Sequence, residues 1–227
     1  MSNYTTYYKN LHRDISIPQP HIEYLKTIKY TPKVVFDVGS AVLHWTKEAK
    51  KVWPNSKYYL FEAVREVEEF YKEYGDPYSI GVFSDICGKE VVFYEDPICL
   101  GGNSYYRENP KYSAAALEIY KDEKGSKRVT TTIDYVCEIN KYPEPDLIKI
   151  DVQGAEIDVL KGMEKTLRGV KHLIVELQHV EYNIGAKQVQ ESKPFIESLG
   201  FELVNNGTEN SYFCGNGPDA DYHFIKK

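Results

Sequence analysis

Short, β-branched apolar runs alternate with longer amphipathic stretches along most of this chain, and few folds accept that rhythm. Residues 33–38, 57–62, 78–83, 146–151 and 171–177 read as strands. Residues 44–52, 64–74, 155–167 and 188–199 read as the helices between and after them. The runs are apolar on successive residues, which means burial on both faces, and strand–helix alternation of that kind builds a mainly parallel sheet with helices on both sides. Trp53-Pro54-Asn55, Gly75-Asp76-Pro77, Pro143-Glu144-Pro145 and Gly200 punctuate the series. The last two strands, 201–205 and 222–226, have no helical pattern between them and are expected to pair antiparallel at one sheet edge. Between the third and fourth core strands the sequence suggests a hairpin with its turn at 85–89 and a strand at 90–95. A polar loop (96–112), a short helix (113–121), a strand (128–132) and a helix (133–140) follow.

The 227 residues suffice for one large domain. We place it at 33–227, behind an N-terminal extension, 1–32, whose Ile22, Leu25 and Ile28 spacing predicts a short helix. With 28 Lys and Arg against 34 Asp and Glu, the net charge is −6, so no basic footprint for nucleic acid is expected. The cysteines, at 87, 99, 137 and 214, form no Cys-x-x-Cys pair and read as reduced thiols. Residues 1–13 are polar, unlike a signal peptide, and no apolar run is long enough to span a bilayer. A cytoplasmic protein is the expectation.

In open α/β sheets ligands bind beyond the carboxyl ends of the strands. Every core strand here ends in or beside an acid: Asp37, Glu62, Asp85 after Ser84, Asp151 and Glu176. Asp37 and Asp151 lie within apolar runs, where an unpaired polar group costs on the order of 2–7 kcal/mol. That pattern points to function. Gly39 allows close backbone approach after the first strand, and Glu62 ends the second, where an acid can grip a ribose diol. The first turn, Gly39-Ser40-Ala41-Val42-Leu43-His44, lacks the repeated glycines that seat a pyrophosphate. A ribose-bearing, cationic ligand without phosphates fits better, and S-adenosylmethionine has that chemistry.

Val34-Val-Phe-Asp-Val-Gly-Ser40 resembles the first motif of class I S-adenosylmethionine-dependent methyltransferases. Asp146-Leu-Ile-Lys-Ile-Asp-Val-Gln-Gly-Ala-Glu156, followed by Val159-Leu-Lys-Gly162, resembles the signature of the FkbM family. Tyr59-Leu-Phe-Glu-Ala63 and Ile80-Gly-Val-Phe-Ser-Asp85 are similar to further motifs of that family. Ser40, Ala41 and Leu43 depart from its first motif, and Val64 replaces a usual proline. The resemblance implies a Rossmann-like α/β fold with the seven-stranded class I methyltransferase sheet. It also implies S-adenosylmethionine as cofactor, held by Asp37, Gly39, Ser40, Glu62, Ala63, Ser84 and Asp85. Glu62 is expected on the ribose and Asp85 near the adenine.

An O-methyltransferase acting on a sugar, glycan or related small molecule needs a base for the hydroxyl proton. His179 comes first, with Asp151 and Glu176 beside it. Asp151 and Glu176 also offer oxygen ligands for a divalent cation such as Mg²⁺, a minor alternative because the sequence supplies no complete ligand set. Asn103, Tyr105, Gln153 and Asn183 are expected to line the acceptor site, and the leading segment, 1–30, to fold over the cofactor as a lid with His21 near the site. Asp219 and Asp221 read as a turn feeding the last strand. Two other readings stand beside this one: an NAD(P)-dependent oxidoreductase, and a non-catalytic cofactor-binding module of the same fold.

Overall fold

The computed structural model describes residues 19–95, 100–114, 116–204 and 218–227. Cys99 and Cys214, and most of the 1–32 extension, lie outside them. The core sheet carries β1 (Val34–Val38), β2 (Lys57–Glu62), β3 (Tyr78–Ile80), β7 (Leu147–Ile150), β8 (His172–Gln178), β9 (Phe201–Leu203) and β10 (Asp219–Lys226). Their order is β3-β2-β1-β7-β8-β10-β9, parallel from β3 to β8. β10 inserts between β8 and β9 and runs antiparallel to both, so the expected edge pair is present.

Helices cover both faces. α1 (Pro20–Thr27), α2 (His44–Val52) and α3 (Glu68–Tyr74) bury Leu25, Trp45, Ala49, Phe70 and Tyr71 with Val35, Leu60, Leu147 and Ile174 of the strands. On the other face α5 (Ile133–Asn140), α6 (Glu156–Lys161) and α7 (Val189–Ser198) bury Ile133, Ile157, Leu160 and Ile196 with Phe36, Ile148, Leu173 and Phe224. Neighbouring strand residues thus go to opposite layers, which is why these strands read as unbroken apolar runs.

The segment after β3 departs from expectation. The predicted strand 78–83 breaks at Gly81, and Val82–Phe83 becomes β4. β4 pairs with β6 (Ser126–Thr131), which also pairs antiparallel with β5 (Glu90–Phe93), giving a small sheet ordered β4-β6-β5. β4 and β5 therefore do not form the expected hairpin; a strand from about forty residues further along lies between them, a separation that local turn signals do not reveal. The predicted helix at 155–167 is also too long. α6 ends at Lys161, and Gly162 after it lies against the Ser84 carbonyl, where an added Cβ would sit 2.1 Å from the oxygen. A short 3₁₀ turn, Thr166–Arg168, completes the span. The predicted helix 113–121 is reduced to α4 (Ala116–Ile119). Asp219 and Asp221 do not form a turn but belong to β10 itself.

Candidate active site

Pleat and register bring the acids together. Lys149 pairs in register with Asp37 of β1 and with Ile174 of β8, and Asp221 of β10 pairs with Glu176. Side chains alternate along a strand, so Asp37, Lys149, Glu176, Asp221 and His223 share one face, with Glu62 at the end of β2 and Asp151 just beyond β7 in the same phase. This is the face that α1 and α2 cover.

At the carboxyl ends of β1, β2 and β7 lies an open cleft of about 660 Å³, solvent-side space included. Gly39, Ala41, Glu62 and Ala63 form one wall, and Val82, Phe83 and Phe93 an apolar end. Asn103, Ser104 and Tyr105 close the side, with Asp151 and Gln153 on the remaining wall. Gly39 has φ +80°, and a Cβ there would stand 1.7 Å from the Asp151 carbonyl oxygen, so only glycine lets the two strand ends meet.

Asp37 does not line the cleft. It is buried beneath the turn and accepts a hydrogen bond from Thr46 of α2. Burial pushes its carboxyl up to about 6 against that bond. Ser40 is likewise internal, its hydroxyl meeting the Phe61 carbonyl and the Tyr71 hydroxyl. Glu62 accepts from the amides of Ala41 (2.9 Å), Ala63 (2.8 Å) and Val64 (2.9 Å), which ties the first turn to the second strand. Burial raises its pKa, opposed by those amides. A carboxylate has about four acceptor sites, so one remains for a ligand.

Ser84 and Asp85 stand outside the cleft lining, with Ser84 Oγ bonded to Asp85 and to the Tyr105 hydroxyl. Tyr105 and Tyr106 both donate to Asp158 Oδ2 of α6, at 3.0 and 2.7 Å, and Ser104 Oγ donates to the Gln153 carbonyl. These bonds fasten the 103–107 loop over the cleft. Asn183 is buried outside it, bonded to Gln178 and to the Tyr106 carbonyl. His179 is not at the cleft either: its Nε2 meets the Tyr222 hydroxyl at 2.9 Å, on the β8–β10 side.

Asp151 is the described acid of the fourth strand end that reaches the cleft. Lys149 Nζ lies 3.3 Å from its Oδ2, and Gln153 Nε2 donates to its Oδ1 at 3.1 Å. The same Gln153 nitrogen is 3.1 Å from Glu176 Oε2. Burial works to raise the pKa of Asp151, but Lys149 and hydrogen bonds from Glu176 and Gln153 hold it below the usual carboxylate range. Burial and the Asp151 charge drive Glu176 the other way, well above its usual range. The two acids are thus shifted in opposite directions, with the lowered carboxyl on the member that faces the cleft. Gln153 reaches both acids from a left-handed backbone conformation, φ 54°, in a loop wrapped around the buried Glu156 carboxylate, which accepts from the Val152 and Gly154 amides.

Thr46 and Asp158 escaped the sequence reading, since nothing near them announces their partners. Lys149 carried a signal: a lysine amid Leu147, Ile148 and Ile150 is a charge placed where only a counter-charge makes it tolerable.

A sequence model of the FkbM methyltransferase domain matches residues 36–203. The chain belongs to the FkbM methyltransferase family. Over 55 residues it is 40% identical to the hexuronic acid methyltransferase AglP of Haloferax volcanii, a match covering 24% of this chain and 23% of that relative. A solved structure from Nostoc punctiforme PCC 73102, provisionally assigned as an O-methyltransferase, aligns with TM-score 0.51 at 10% identity, over 98% of this chain and 60% of that one. A precorrin-6y C5,15-methyltransferase from Geobacter metallireducens aligns with TM-score 0.46 at 12% identity, over 95% and 92% of the two chains. The Nostoc likeness shows the class I methyltransferase fold. Among the described residues no helix is long and apolar enough to cross a membrane, and no group of three or more His, Cys, Asp or Glu side chains is arranged to hold a metal ion.

Proposed function

We propose that this FkbM-family protein transfers a methyl group from S-adenosylmethionine to a hydroxyl of a sugar, glycan or related small molecule. The observation that carries the reading is the cleft itself: Asp151 beside the Lys149 ammonium on one wall, Glu62 on the other, and an apolar end between Ala63 and Phe93. S-adenosylmethionine supplies an electrophilic methyl on a sulfonium. Glu62 has one acceptor site left for a ribose hydroxyl, and Val82, Phe83 and Phe93 offer an apolar bed for a heteroaromatic ring. Gly39 and Ala41 leave the wall beside them without bulk.

Asp151 is then the group that accepts the acceptor's hydroxyl hydrogen and takes the proton as the oxygen attacks. Asn103, Ser104, Tyr105 and Gln153 present hydroxyls, amides and a ring face, which suit a sugar. The partial match to a hexuronic acid methyltransferase supports a sugar as the acceptor class. The cofactor half is tested by calorimetry: S-adenosylhomocysteine should bind and NADH should not. The acceptor half is tested by labelled methyl transfer to a panel of neutral, amino and uronic sugars. No binding of S-adenosylhomocysteine overturns the reading.

A further inference from the structure

Three acids, Asp151 just past β7, Glu176 of β8 and Asp221 of β10, lie on one face of the sheet, each carrying the oxygen donors a divalent cation takes. The donors already standing there are an ammonium and an amide. Lys149, 4% exposed, places Nζ 2.9 Å from Asp221 Oδ1 and 3.3 Å from Asp151 Oδ2. Gln153 Nε2 takes the inner oxygens of Asp151 and Glu176, each at 3.1 Å. The remaining Asp221 oxygen faces His21 of α1, whose Nε2 is 3.8 Å away and has no hydrogen-bond partner among the described residues.

We propose that Lys149 is a positioning residue: its ammonium is the permanent counter-cation of this carboxylate cluster and holds Asp151 toward the cleft, in the position a divalent metal would otherwise take. An ammonium donates at hydrogen-bond distance, whereas Mg²⁺ needs oxygens near 2.0–2.1 Å in an octahedron, so one arrangement excludes the other. The donor set present, a lysine and an amide nitrogen interleaved with the acids, fits the first and not the second. A tether also does what a diffusible ion cannot. Lys149 is anchored two residues before Asp151, so the charge and the carboxylate it aims arrive on the same strand. The role of Asp151 rests on the methyltransferase reading; the place of Lys149 among the carboxylates does not.

The test is a manganese titration followed by electron paramagnetic resonance, with S-adenosylhomocysteine affinity measured in parallel on the same samples. Wild type should take up no Mn²⁺ at the cluster and should keep its S-adenosylhomocysteine affinity after exhaustive chelation. Lys149→Ala removes the cation between Asp151 and Asp221 and should gain Mn²⁺ affinity by about tenfold or more over wild type. Lys149→Ala combined with Asp221→Asn should lose that gain. A lysine that merely filled space would not produce a metal site on removal. Should Lys149→Ala fail to fold, the wild type still decides: Mn²⁺ binding that disappears in Asp151→Asn overturns the proposal. So does a folded Lys149→Ala that gains nothing. Failure of wild type to bind S-adenosylhomocysteine defeats the methyltransferase reading instead, and leaves Lys149 to the manganese arms.

Discussion

Single residues carry most of the proposed chemistry, and their surroundings set what each replacement should do. Glu62 binds three backbone amides before any ligand arrives, so Glu62→Ala does two things at once. It removes an acceptor for the ribose and frees the first turn. Removing a charged hydrogen-bond partner costs about 1.5–3 kcal/mol, so S-adenosylhomocysteine affinity should fall by at least tenfold in calorimetry. Asp151→Asn keeps the shape and removes the charge. Turnover should drop by about 10²–10⁴-fold while S-adenosylhomocysteine affinity stays close to wild type. A similar loss in His179→Ala would move the base to a residue whose ring nitrogen is held by Tyr222 outside the cleft. Equal turnover of Asp151→Asn and wild type would remove Asp151 from the reaction altogether.

Among the elements, the loop fastened by Asp158 is the most exposed to a single change. Two tyrosine hydroxyls share one of its oxygens, and both come from the segment that closes the cleft. Asp158→Ala should leave the fold intact but raise hydrogen exchange at residues 103–107 and weaken S-adenosylhomocysteine binding several-fold. Unchanged exchange there would mean that the loop is held by Ser104 and Asn183 alone. The main strands were legible in the sequence because burial on both faces leaves an apolar run that local reading detects, and the acids at their ends follow from strand position. The small sheet was not, because β6 finds β4 and β5 across a long intervening stretch, and pairing across that distance leaves no local mark. The same limit hid the hold of Asp158 on the tyrosines, some fifty residues away in the chain.

At the scale of the whole molecule, two sets of buried groups pull the stability in opposite directions as pH changes. Burial holds His21 and His172 down to about 4, from an ordinary 6.5, and lowers His223 further. Unfolded, these imidazoles take a proton near 6.5, so the unfolded state binds more protons between 6.5 and 4, and stability is lost as pH falls through that window. Burial raises Asp37 to about 6 and Glu156 to about 7. In the folded state these keep a proton that the unfolded chain has released, so their contribution is present below the unfolded pKa and is lost as pH rises toward 6–7. The two sets offset each other in mild acid; below about 4 His21 and His172 carry their proton in both states, and of the three histidines only His223 adds a further loss. His21 has no hydrogen-bond partner for either ring nitrogen among the described residues, so His21→Met should cost little at pH 7. It should also reduce the loss between pH 6.5 and 4 by on the order of 2–3 kcal/mol, measured by urea unfolding at several pH values. An unchanged acid limb would place the acid-sensitive group elsewhere.

The insertion of β10 between β8 and β9 also has a consequence for how the protein is made. A ribosome delivers Lys149, Glu176 and β9 before the strand that carries Asp221, so until β10 emerges β9 has no partner in the sheet and the lysine lacks one of its two carboxylates. The nascent chain therefore holds an unfinished charge cluster and an open sheet edge at the same moment, and one strand closes both.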